Sequence, residues 1–568
     1  MQNLDTHPFN PASVPGALRI IPMGGCGEFG MNLTAYIASG KLFVVDAGVR
    51  FPEPERLGVD AIVPAVDTWF QAIGGVHAYI ITHAHEDHLG AVPHLLPKWP
   101  APVYGTAWTI ELLRLKLTKL GHDPNAFTLV TVEPGDHVTT TGFDAEYIHV
   151  NHSIPMTCCL FIRTPDLNVF HTGDFKFEEH PMLEPATDFA LLKRIGDEGV
   201  DLLLTDSTNA DKDGHCPGEE TVFEPLKRVV EHCSGAAIIT TFASNLWRLK
   251  TIADVCIATG RRLCICGNGI ETTLMIAKKL NLYHLPESLR LTEDQVATFP
   301  RNRLVVLATG CQGEWRSALA RMAAGSHRSI TVGPGDTVIW SSRMIPGNEK
   351  AVFAMTNSFL RAGAKIVSGR DAPDIHVSGH AYGGDVERLV QTLRPRHFLP
   401  VHGSFTHMRA NLGRPLSAGM TASSTLIENG DVLDVSRDGV VKAGKIDIEL
   451  EFVDAEAGVL ISQGTLRERL RVGELGMALV DGVFDQSVKA WRVGPNISLN
   501  GLCLPLMVNT DEWLEKMGRQ LAHHLRPLLS QAQSTPDGVT EEARLFVRRQ
   551  LTRLLRKKPV VLVKLHIL

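Results

Sequence analysis

The densest group of side chains that could do chemistry is the run Thr82-His83-Ala84-His85-Glu86-Asp87-His88. It follows an apolar stretch, residues 76–82, that predicts a strand ending in a polar turn. In an extended H-x-H segment both imidazoles lie on the same side, so His83 and His85 can reach one ion. Asp87 and His88 then point to a neighbouring position where a second ion could bind. So many polar groups in one turn would be uncompensated without a cation, and the run therefore predicts a metal site.

Three more residues with ligand chemistry occur further along the chain, each at the end of an apolar strand pattern. They are His152 in VNHSIP, Asp174 in HTGDFK and His402 in PVHGS. Imidazole and carboxylate ligands without thiolate suit zinc or manganese in a hydrolytic site. Paired metal ions can activate water and hold the attacking and leaving oxygens of a phosphodiester.

The elements that must position these residues belong to an α/β protein. Between Asn209 and Asp374 the chain alternates apolar strands with helices of 10–15 residues, which predicts a parallel sheet covered by helices. This block lies between two of the predicted ligands, so we expect a domain inserted into another. The predicted boundaries are 1–208 and 374–450 for the host domain, 209–373 for the insert and 460–568 for a small C-terminal α/β domain.

Composition excludes several classes of protein. The 568 residues carry a formal net charge of −6, ten scattered cysteines without a C-x-x-C motif, and no apolar stretch long enough to span a membrane. No secretory signal is recognisable in the first thirty residues, and the cysteine usage fits a reduced compartment, so we expect a cytoplasmic protein. Residues 25–30 match G-x-G-x-x-G, but a strand pair follows instead of the helix that dinucleotide binding requires. We therefore interpret this turn as structural.

These motifs, in this order, carry a resemblance to a known family. GGCGEFGMN, DAGVRFPE, ITHAHEDHLGAVPHLL, NHSIP, HTGDFKF, DSTNA, FASN, TGCQGE, SSRMIPGNE, HVSGHA and PVHG run from Gly24 to Gly403. The chain resembles the ribonuclease J family, which are β-CASP nucleases of the metallo-β-lactamase superfamily. The resemblance implies a metallo-β-lactamase αββα sandwich with an inserted β-CASP α/β domain, and a C-terminal domain that mediates assembly.

The resemblance also implies a division of the metal ligands. One ion would be held by His83, His85 and His152, and the other by Asp87, His88 and His402. Asp174 would bridge the two ions, and Asp46, after an early strand, would be a buried supporting acid. The cofactors would be two divalent ions, expected to be Zn²⁺, with Mn²⁺ or Mg²⁺ as alternatives.

Further roles follow from the resemblance. His380 would protonate the leaving 3′-oxygen, Asp206 would orient His380, and Asp87 counts as a catalytic residue as well as a ligand. Contacts to RNA phosphates or to the 5′-terminal monophosphate are expected from Ser244, Asn245, His376, Ser378, Gly379 and His380. Trp247, Arg248 and Lys250 are expected to line an RNA channel, although Trp247 also suits a core. Ser404 and the segment Phe177-Glu178-Glu179-His180 depart from the family pattern.

The implied enzyme is a metal-dependent ribonuclease, a 5′-to-3′ exonuclease that also cuts internally, in rRNA and mRNA maturation and decay. The implied substrate is RNA, preferably 5′-monophosphorylated, and the implied assembly is a homodimer or homotetramer of the chain. An RNA helicase or other decay factors are additional candidate partners, and no membrane is expected. Two alternatives remain open: a hydrolase of small esters or thioesters on the same fold, and a non-catalytic RNA-binding subunit. The basic residues of segment 541–568 suit either a solvated helix face or a contact to phosphate or to another subunit.

Overall fold

The computed structural model describes residues 16–52, 58–345, 347–454, 458–529 and 535–568. They form two compact units. The first contains residues 61–450 and the described residues up to 51, and the second contains the described part of 451–568 with residues 52 and 58–60. The start of the predicted host domain, residues 1–15, lies outside the described residues. Within the described ranges, no helix is both long and apolar enough to cross a bilayer.

Two β-sheets form the centre of the first unit. The eight strands of one sheet are, in spatial order, Gly439–Lys445, Asp431–Ser436, Leu18–Gly24, Leu33–Ala38, Lys41–Val45, Val76–Ile80, Val103–Gly105 and Leu129–Thr131. The seven strands of the other are Ser423–Ser424, His397–Val401, Leu202–Asp206, Asn168–His171, Cys158–Arg163, Phe143–His149 and His137–Thr140. A short pair, Cys26–Gly27 with Gly403–Ser404, lies outside these sheets.

The two sheets share one apolar core. Phe43 of the first sheet stacks on Phe143 of the second with ring centroids 4.1 Å apart, and Tyr36 and Leu160 are buried in the same cluster. Helices Phe189–Glu198 and Gly383–Leu393 cover the outer face of the second sheet through a separate apolar cluster. Helix Ala107–Lys119 packs beside the edge strands of the first sheet. The order helix, sheet, sheet, helix is the one that the sequence analysis predicted.

A third sheet in this unit has six parallel strands. In spatial order they are Arg290–Leu291, Arg262–Cys266, Leu304–Ala308, Ala237–Thr240, Thr337–Trp340 and Lys365–Val367. Every residue of Leu304–Ala308 is buried, as expected for a parallel strand covered on both faces, and two apolar clusters lie on the two faces. The strands fall inside the predicted insert 209–373, whose boundaries stay a prediction.

Helices connect these strands, as the alternating pattern predicted. Around the third sheet they are Phe223–Glu231, Leu246–Ala258, Asn268–Lys279, Glu293–Val296, Ala318–Ala323 and Glu349–Arg361. The remaining α-helices of the first unit include Asp67–Ile73, Glu86–Leu89, Val92–Leu95, Phe405–Asn411 and Arg414–Ser417. Strand Ala61–Pro64 also belongs to this unit.

The second unit contains a three-stranded sheet in the order Ala490–Asn500, Met477–Asp485 and Val560–Ile567. Helices Thr510–Leu529 and Pro536–Leu555 pack on it through Leu521, Leu525 and Leu551. Helix Gln463–Leu475 and strands Leu450–Asp454 and Val459–Ile461 precede the sheet. The predicted small C-terminal α/β domain thus corresponds to a sheet with long helices, and its start at residue 460 stays a prediction.

Candidate metal centre and catalytic site

The first four candidate ligands lie where parallel strands of the first sheet end. Val45 lies opposite Ile80, so the residues that follow these two strands are also neighbours. Thr82 donates its backbone N–H to Oδ1 of Asp46 at 2.8 Å. Asp46 is buried and has φ +58°, a left-handed conformation that aspartate tolerates better than most residues. This register brings Asp46 to the base of the His83–His88 turn.

The remaining ligands lie at strand ends of the second sheet. Strand Leu202–Asp206 is parallel to His397–Val401, with Asp206 opposite Val401, so His402 follows directly beside it. Nδ1 of His402 lies 3.0 Å from Oδ1 of Asp206. His402 has φ +52°, a strained conformation for a histidine and one that is found at functional sites.

The structure brings His83, His85, His152 and Asp174 into one group, whose ligand atoms all lie within 4.8 Å of one another. Oδ2 of Asp174 lies 3.5 Å from Nε2 of His83 and 3.6 Å from Nε2 of His152. Nδ1 of His85 lies 3.0 Å from Nε2 of His152. These are the residues that the sequence analysis assigned to the first ion together with the bridging acid.

A second group contains Asp87, His88, Asp174 and His402, again with ligand atoms within 4.8 Å. Oδ1 of Asp174 lies 3.3 Å from Nε2 of His88 and 3.4 Å from Nδ1 of His402. Oδ2 of Asp87 lies 3.2 Å from Nε2 of His402. Asp174 therefore turns one carboxylate oxygen toward each group, which is the arrangement that a bridging ligand requires.

Two buried atoms at the centre fit a cation directly. Among the described residues, neither Nε2 of His83 nor Oδ1 of Asp174 has a hydrogen-bond partner. Both side chains are almost completely buried. Buried polar groups without partners are costly, and both atoms carry lone pairs that a divalent ion would satisfy.

Hydrogen bonds behind the ligands direct their lone pairs toward the centre. Nδ1 of His83 donates to Oγ1 of Thr82 at 3.0 Å, and this hydroxyl donates to Oδ2 of Asp46 at 2.8 Å. Nδ1 of His88 donates to the same Asp46 oxygen at 2.7 Å. Donation from Nδ1 places the lone pair of each neutral imidazole on Nε2, which is how supporting groups fix the tautomer of metal-binding histidines. Asp46 is thus the supporting acid for two ligands.

The backbone of the S-G-H segment supports a third ligand. Nδ1 of His152 donates to the carbonyl oxygen of Gly379 at 2.5 Å. A Cβ on Gly379 would lie 2.5 Å from Oγ of Ser153 and 3.0 Å from Cε1 of His152, so only glycine fits this approach. The predicted RNA contact of Gly379 remains a prediction, but its carbonyl has a role that sequence reasoning missed.

Asn32 and Gly48 were also missed as site residues, although both lie in motifs that carry the resemblance. Nδ2 of Asn32 lies 3.0 Å from Nε2 of His88 and donates to the carbonyl of Asp87 at 3.1 Å. A Cβ on Gly48 would lie 1.7 Å from that same carbonyl oxygen. These two residues fix the backbone of the turn that carries Asp87 and His88.

Burial sets the protonation of the first group. It lowers the pKa of His83 and of His152 well below the ordinary range, and that of His85 to about 4. All three imidazoles are therefore neutral near pH 7, which is the form that binds metal.

The second group differs because more carboxylates face it. Burial alone would lower the pKa of His88, but Asp174 and Asp46 outweigh it and raise the value to about 10. The pKa of His402 is raised well above the ordinary range, where burial is outweighed by Asp174 and by hydrogen bonds to neighbouring carboxylates. Binding of a cation must therefore release protons from this group.

A third group places His380 beside the centre. Nδ1 of His380 donates to Oδ2 of Asp206 at 2.7 Å, and the ring stacks on that of His402 with centroids 5.5 Å apart. Burial would lower the pKa of His380, but the charges of Asp206 and Asp174 raise it. An imidazolium with Nδ1 held in this way keeps Nε2–H as its remaining donor.

The other predicted RNA contacts differ in their surroundings. Oγ of Ser378 accepts from Nδ2 of Asn209 at 2.8 Å, and Ser244 is partly exposed. Asn245 is buried, and its side chain caps helix Leu246–Ala258 by accepting the N–H of Arg248 at 3.0 Å. The roles of these residues toward RNA stay predictions.

The expectation that Trp247 and Arg248 line an RNA channel is wrong. Nε1 of Trp247 donates to the carbonyl of His152 at 3.0 Å, and the residue is 5% exposed. Arg248 is completely buried and pairs through two nitrogens with Glu219, at 2.5 and 3.1 Å. Its Nη1 also lies 3.3 Å from Nδ1 of His376. Helix Leu246–Ala258 is buried on more than one side, so polar residues that were expected on its exposed face lie in the interior.

The two departures from the family pattern have local partners. Oγ of Ser404 lies 2.6 Å from Nδ1 of His407. Phe177 packs against Phe175 and Phe189, and Glu178 forms a buried ion pair with Lys176. Neither departure removes a candidate ligand.

The structural interpretation of the glycine-rich turn agrees with the fold, since strand Leu33–Ala38 follows it. The basic C-terminal segment begins in helix Pro536–Leu555. Arg549 pairs with Glu542 at 2.8 Å, while Arg548 and Arg553 line an open groove of about 400 Å³. A solvated helix face and a contact to phosphate or to another subunit both stay predictions for this segment.

Family profiles match three segments of the chain. Residues 43–228 match the beta-lactamase superfamily domain, residues 234–359 match the ribonuclease J beta-CASP domain, and residues 372–411 match the RNA specificity domain of Zn-dependent metallo-hydrolases. A protein of unknown function from Enterococcus faecalis has a crystal structure with a TM-score of 0.53 at 14% identity, covering 74% of this chain and 100% of its own. That likeness concerns the fold alone.

Curated relatives match over nearly the full length. Ribonuclease J of Mycolicibacterium smegmatis is 34% identical over 97% of both chains, and that of Helicobacter pylori is 31% identical over 100% of this chain and 82% of its own. Ribonuclease J 1 of Streptococcus pyogenes is 30% identical over 96% of this chain and 97% of its own. The chain therefore belongs to the ribonuclease J family of metal-dependent ribonucleases.

Proposed function

We propose that the enzyme hydrolyses RNA phosphodiester bonds with two divalent ions, chiefly zinc, as a 5′-to-3′ exonuclease that also cuts internally. The observation that carries this proposal is the position of Asp174, whose two oxygens each face a separate group of ligands 3.3–3.6 Å away. One ion would be held by His83, His85 and His152, and the other by Asp87, His88 and His402.

The ions, when bound, would supply an activated water and neutralise charge on the phosphate. The chain itself supplies the proton for the departing 3′-oxygen. The raised pKa of His380 keeps a proton on its ring, and Asp206 accepts the Nδ1–H, so Nε2–H is the group that donates. Asp206 also accepts from Nδ1 of His402, and one carboxylate thus positions a proton donor and a ligand together.

The 5′ end of the substrate is proposed to be a monophosphate, held near Ser378 and the partly exposed Ser244. The serine hydroxyls can donate hydrogen bonds to phosphate oxygens, and such bonds to a charged acceptor are short and strong. The cellular roles proposed are maturation and decay of rRNA and mRNA in the cytoplasm, by a homodimer or homotetramer and with helicase partners as candidates.

The proposal is tested with two 3′-labelled linear RNAs of the same sequence, one with a 5′-monophosphate and one with a 5′-triphosphate. A circular RNA of that sequence, which has no 5′ end, tests internal cutting. We expect mononucleotide release that is fastest from the monophosphate, and slower cutting of the circle. A chromogenic ester serves as the control substrate. Equal rates on both linear RNAs would contradict recognition of the monophosphate, and an intact circle would contradict internal cutting.

A further inference from the structure

A cluster of cysteine, glutamate and histidine lies in the six-stranded sheet and shares no residue with the catalytic centre. It consists of Cys266, Glu293 and His327, whose ligand atoms all lie within 4.8 Å of one another. Sγ of Cys264 lies 3.9 Å from Sγ of Cys266. The two cysteines belong to strand Arg262–Cys266, Glu293 begins the helix Glu293–Val296, and His327 follows the helix Ala318–Ala323.

The geometry of the two cysteines suits a shared metal better than a disulfide. Residues i and i+2 of a strand point to the same face and are about 6.6–6.8 Å apart along it. That spacing is at the upper limit of the Cα separation of about 4.4–6.8 Å that a disulfide spans. Two thiolates bound to one tetrahedral zinc at about 2.3 Å each are about 3.8 Å apart, close to the separation found here.

The surroundings favour a cation. Both cysteines are buried in an apolar cluster, and Glu293 reaches this cluster from the partly exposed side. The neighbouring Arg290 pairs with Glu271. A cation at the cluster would balance the charges of the Glu293 carboxylate and of a thiolate beside it.

The hydrogen bonds of His327 and Glu293 show which of their atoms act as acceptors. Ser329 donates its backbone N–H to Nδ1 of His327 and its hydroxyl to Oε2 of Glu293, both at 3.3 Å. Both acceptors are thus held by one residue, and His327 and Glu293 each keep a ligand atom within 4.8 Å of the Cys266 thiol.

We propose that Cys266, Glu293 and His327, with Cys264 as the fourth ligand, bind one structural zinc ion. Mixed sulfur, nitrogen and oxygen ligands suit zinc, and four protein ligands leave no open position for catalysis. The ion would join an inner strand, the start of a helix and a loop that are distant in sequence. The enzyme would then hold a thiolate-bound ion in addition to those of its catalytic centre.

Cobalt distinguishes the two kinds of site, because only thiolate ligation gives an intense charge-transfer band in the near ultraviolet. The full chain is stripped with a chelator and titrated with Co²⁺. We expect this band to saturate with one thiolate-bound cobalt per chain. The absence of the band from the cobalt-loaded wild-type chain would overturn the proposal, and this measurement needs no variant.

Variants then identify the ligands. Cys266→Ser should abolish the band and remove one zinc from the as-purified protein, because Cys266 is the thiol that lies within 4.8 Å of both Glu293 and His327. Cys264 adjoins the cluster through Cys266, so Cys264→Ser should reduce the band by about half. Cys256→Ser is the matched control, since Cys256 is equally buried in a helix of the same sheet but lies outside the cluster. A full band in Cys266→Ser would overturn the site, and a full band in Cys264→Ser would remove Cys264 from it.

Discussion

Nδ1 of His380 donates a hydrogen bond to Oδ2 of Asp206 at 2.7 Å, although the two residues are 174 positions apart in the chain. The other oxygen of Asp206 accepts from Nδ1 of His402 at 3.0 Å. A carboxylate shared in this way couples the orientation of a proton donor to that of a metal ligand.

His380→Ala should leave the metal content unchanged and slow RNA cleavage by about 10²–10⁴-fold, the usual contribution of a general acid. Metal analysis of the purified variant and single-turnover cleavage of labelled RNA measure the two quantities. Loss of metal in parallel with activity would instead make His380 a ligand.

Asp174→Ala should empty both metal positions together, because each of its oxygens faces a different ligand group. Metal content is measured on the purified protein, with Asp144→Ala as the control. Asp144 lies on the same sheet but pairs with Arg163 and is more exposed. A variant that keeps both catalytic ions would refute the bridging role.

Thr82→Val should weaken metal binding by about 10–100-fold, because it breaks the relay from His83 through the hydroxyl to Asp46. Thr82→Ser keeps the hydroxyl and should bind metal almost as tightly as the wild type. Competition with a chromophoric chelator measures both affinities. If the serine and valine variants bind equally, the hydroxyl has no part in holding the ligand.

Arg248→Met should destabilise the first unit by about 3–5 kcal/mol, because it leaves Glu219 as a buried charge without its partner. Lys250→Met, on the same helix, removes the more exposed pair with Asp254 and should cost less than about 1 kcal/mol. Denaturant unfolding gives both free energies. Similar values for the two variants would contradict the importance of the buried pair.

Glu184→Gln should change how stability depends on pH. Burial raises the pKa of Glu184 to about 7, so the folded state keeps a proton that the unfolded state has already released. The contribution of this proton to the free energy of unfolding is fully present below the pKa that Glu184 has in the unfolded chain. It is lost as the pH rises through about 7, the pKa of Glu184 in the folded protein. Glutamine avoids the loss, so the variant should gain up to about 3 kcal/mol relative to wild type between pH 4.5 and pH 8.

Unfolding free energies at pH 5 and pH 8 test this difference. In the wild type, Oε1 of Glu184 accepts the backbone N–H of Met156 at 2.5 Å. The glutamine side chain keeps a carbonyl oxygen that can accept the same N–H, so the substitution removes the titrating proton without removing this hydrogen bond. A stability difference between variant and wild type that is the same at both pH values would show that Glu184 does not titrate as described.

Much of the centre could be predicted because its chemistry is local. The H-x-H-x-D-H run brings its ligands together through the geometry of one strand and one turn, whatever the rest of the chain does. The parallel sheet was predictable for a similar reason, since the alternation of strand and helix patterns repeats over short distances.

Other features depend on which strand ends become neighbours, and only the tertiary structure decides that. The carbonyl of Gly379 accepts a hydrogen bond from His152, although the two residues are 227 positions apart in the chain. Arg248 pairs with Glu219 in the interior, whereas the sequence suggested that this face of its helix was exposed. Cys266, Glu293 and His327 likewise meet only through the packing of a strand, a helix start and a loop. The sequence alone determined which metal-binding side chains are present, because residue types and their short spacings do not depend on how the rest of the chain folds. Long-range packing determined which oxygen faces which ligand, because sheet register and loop paths set those distances.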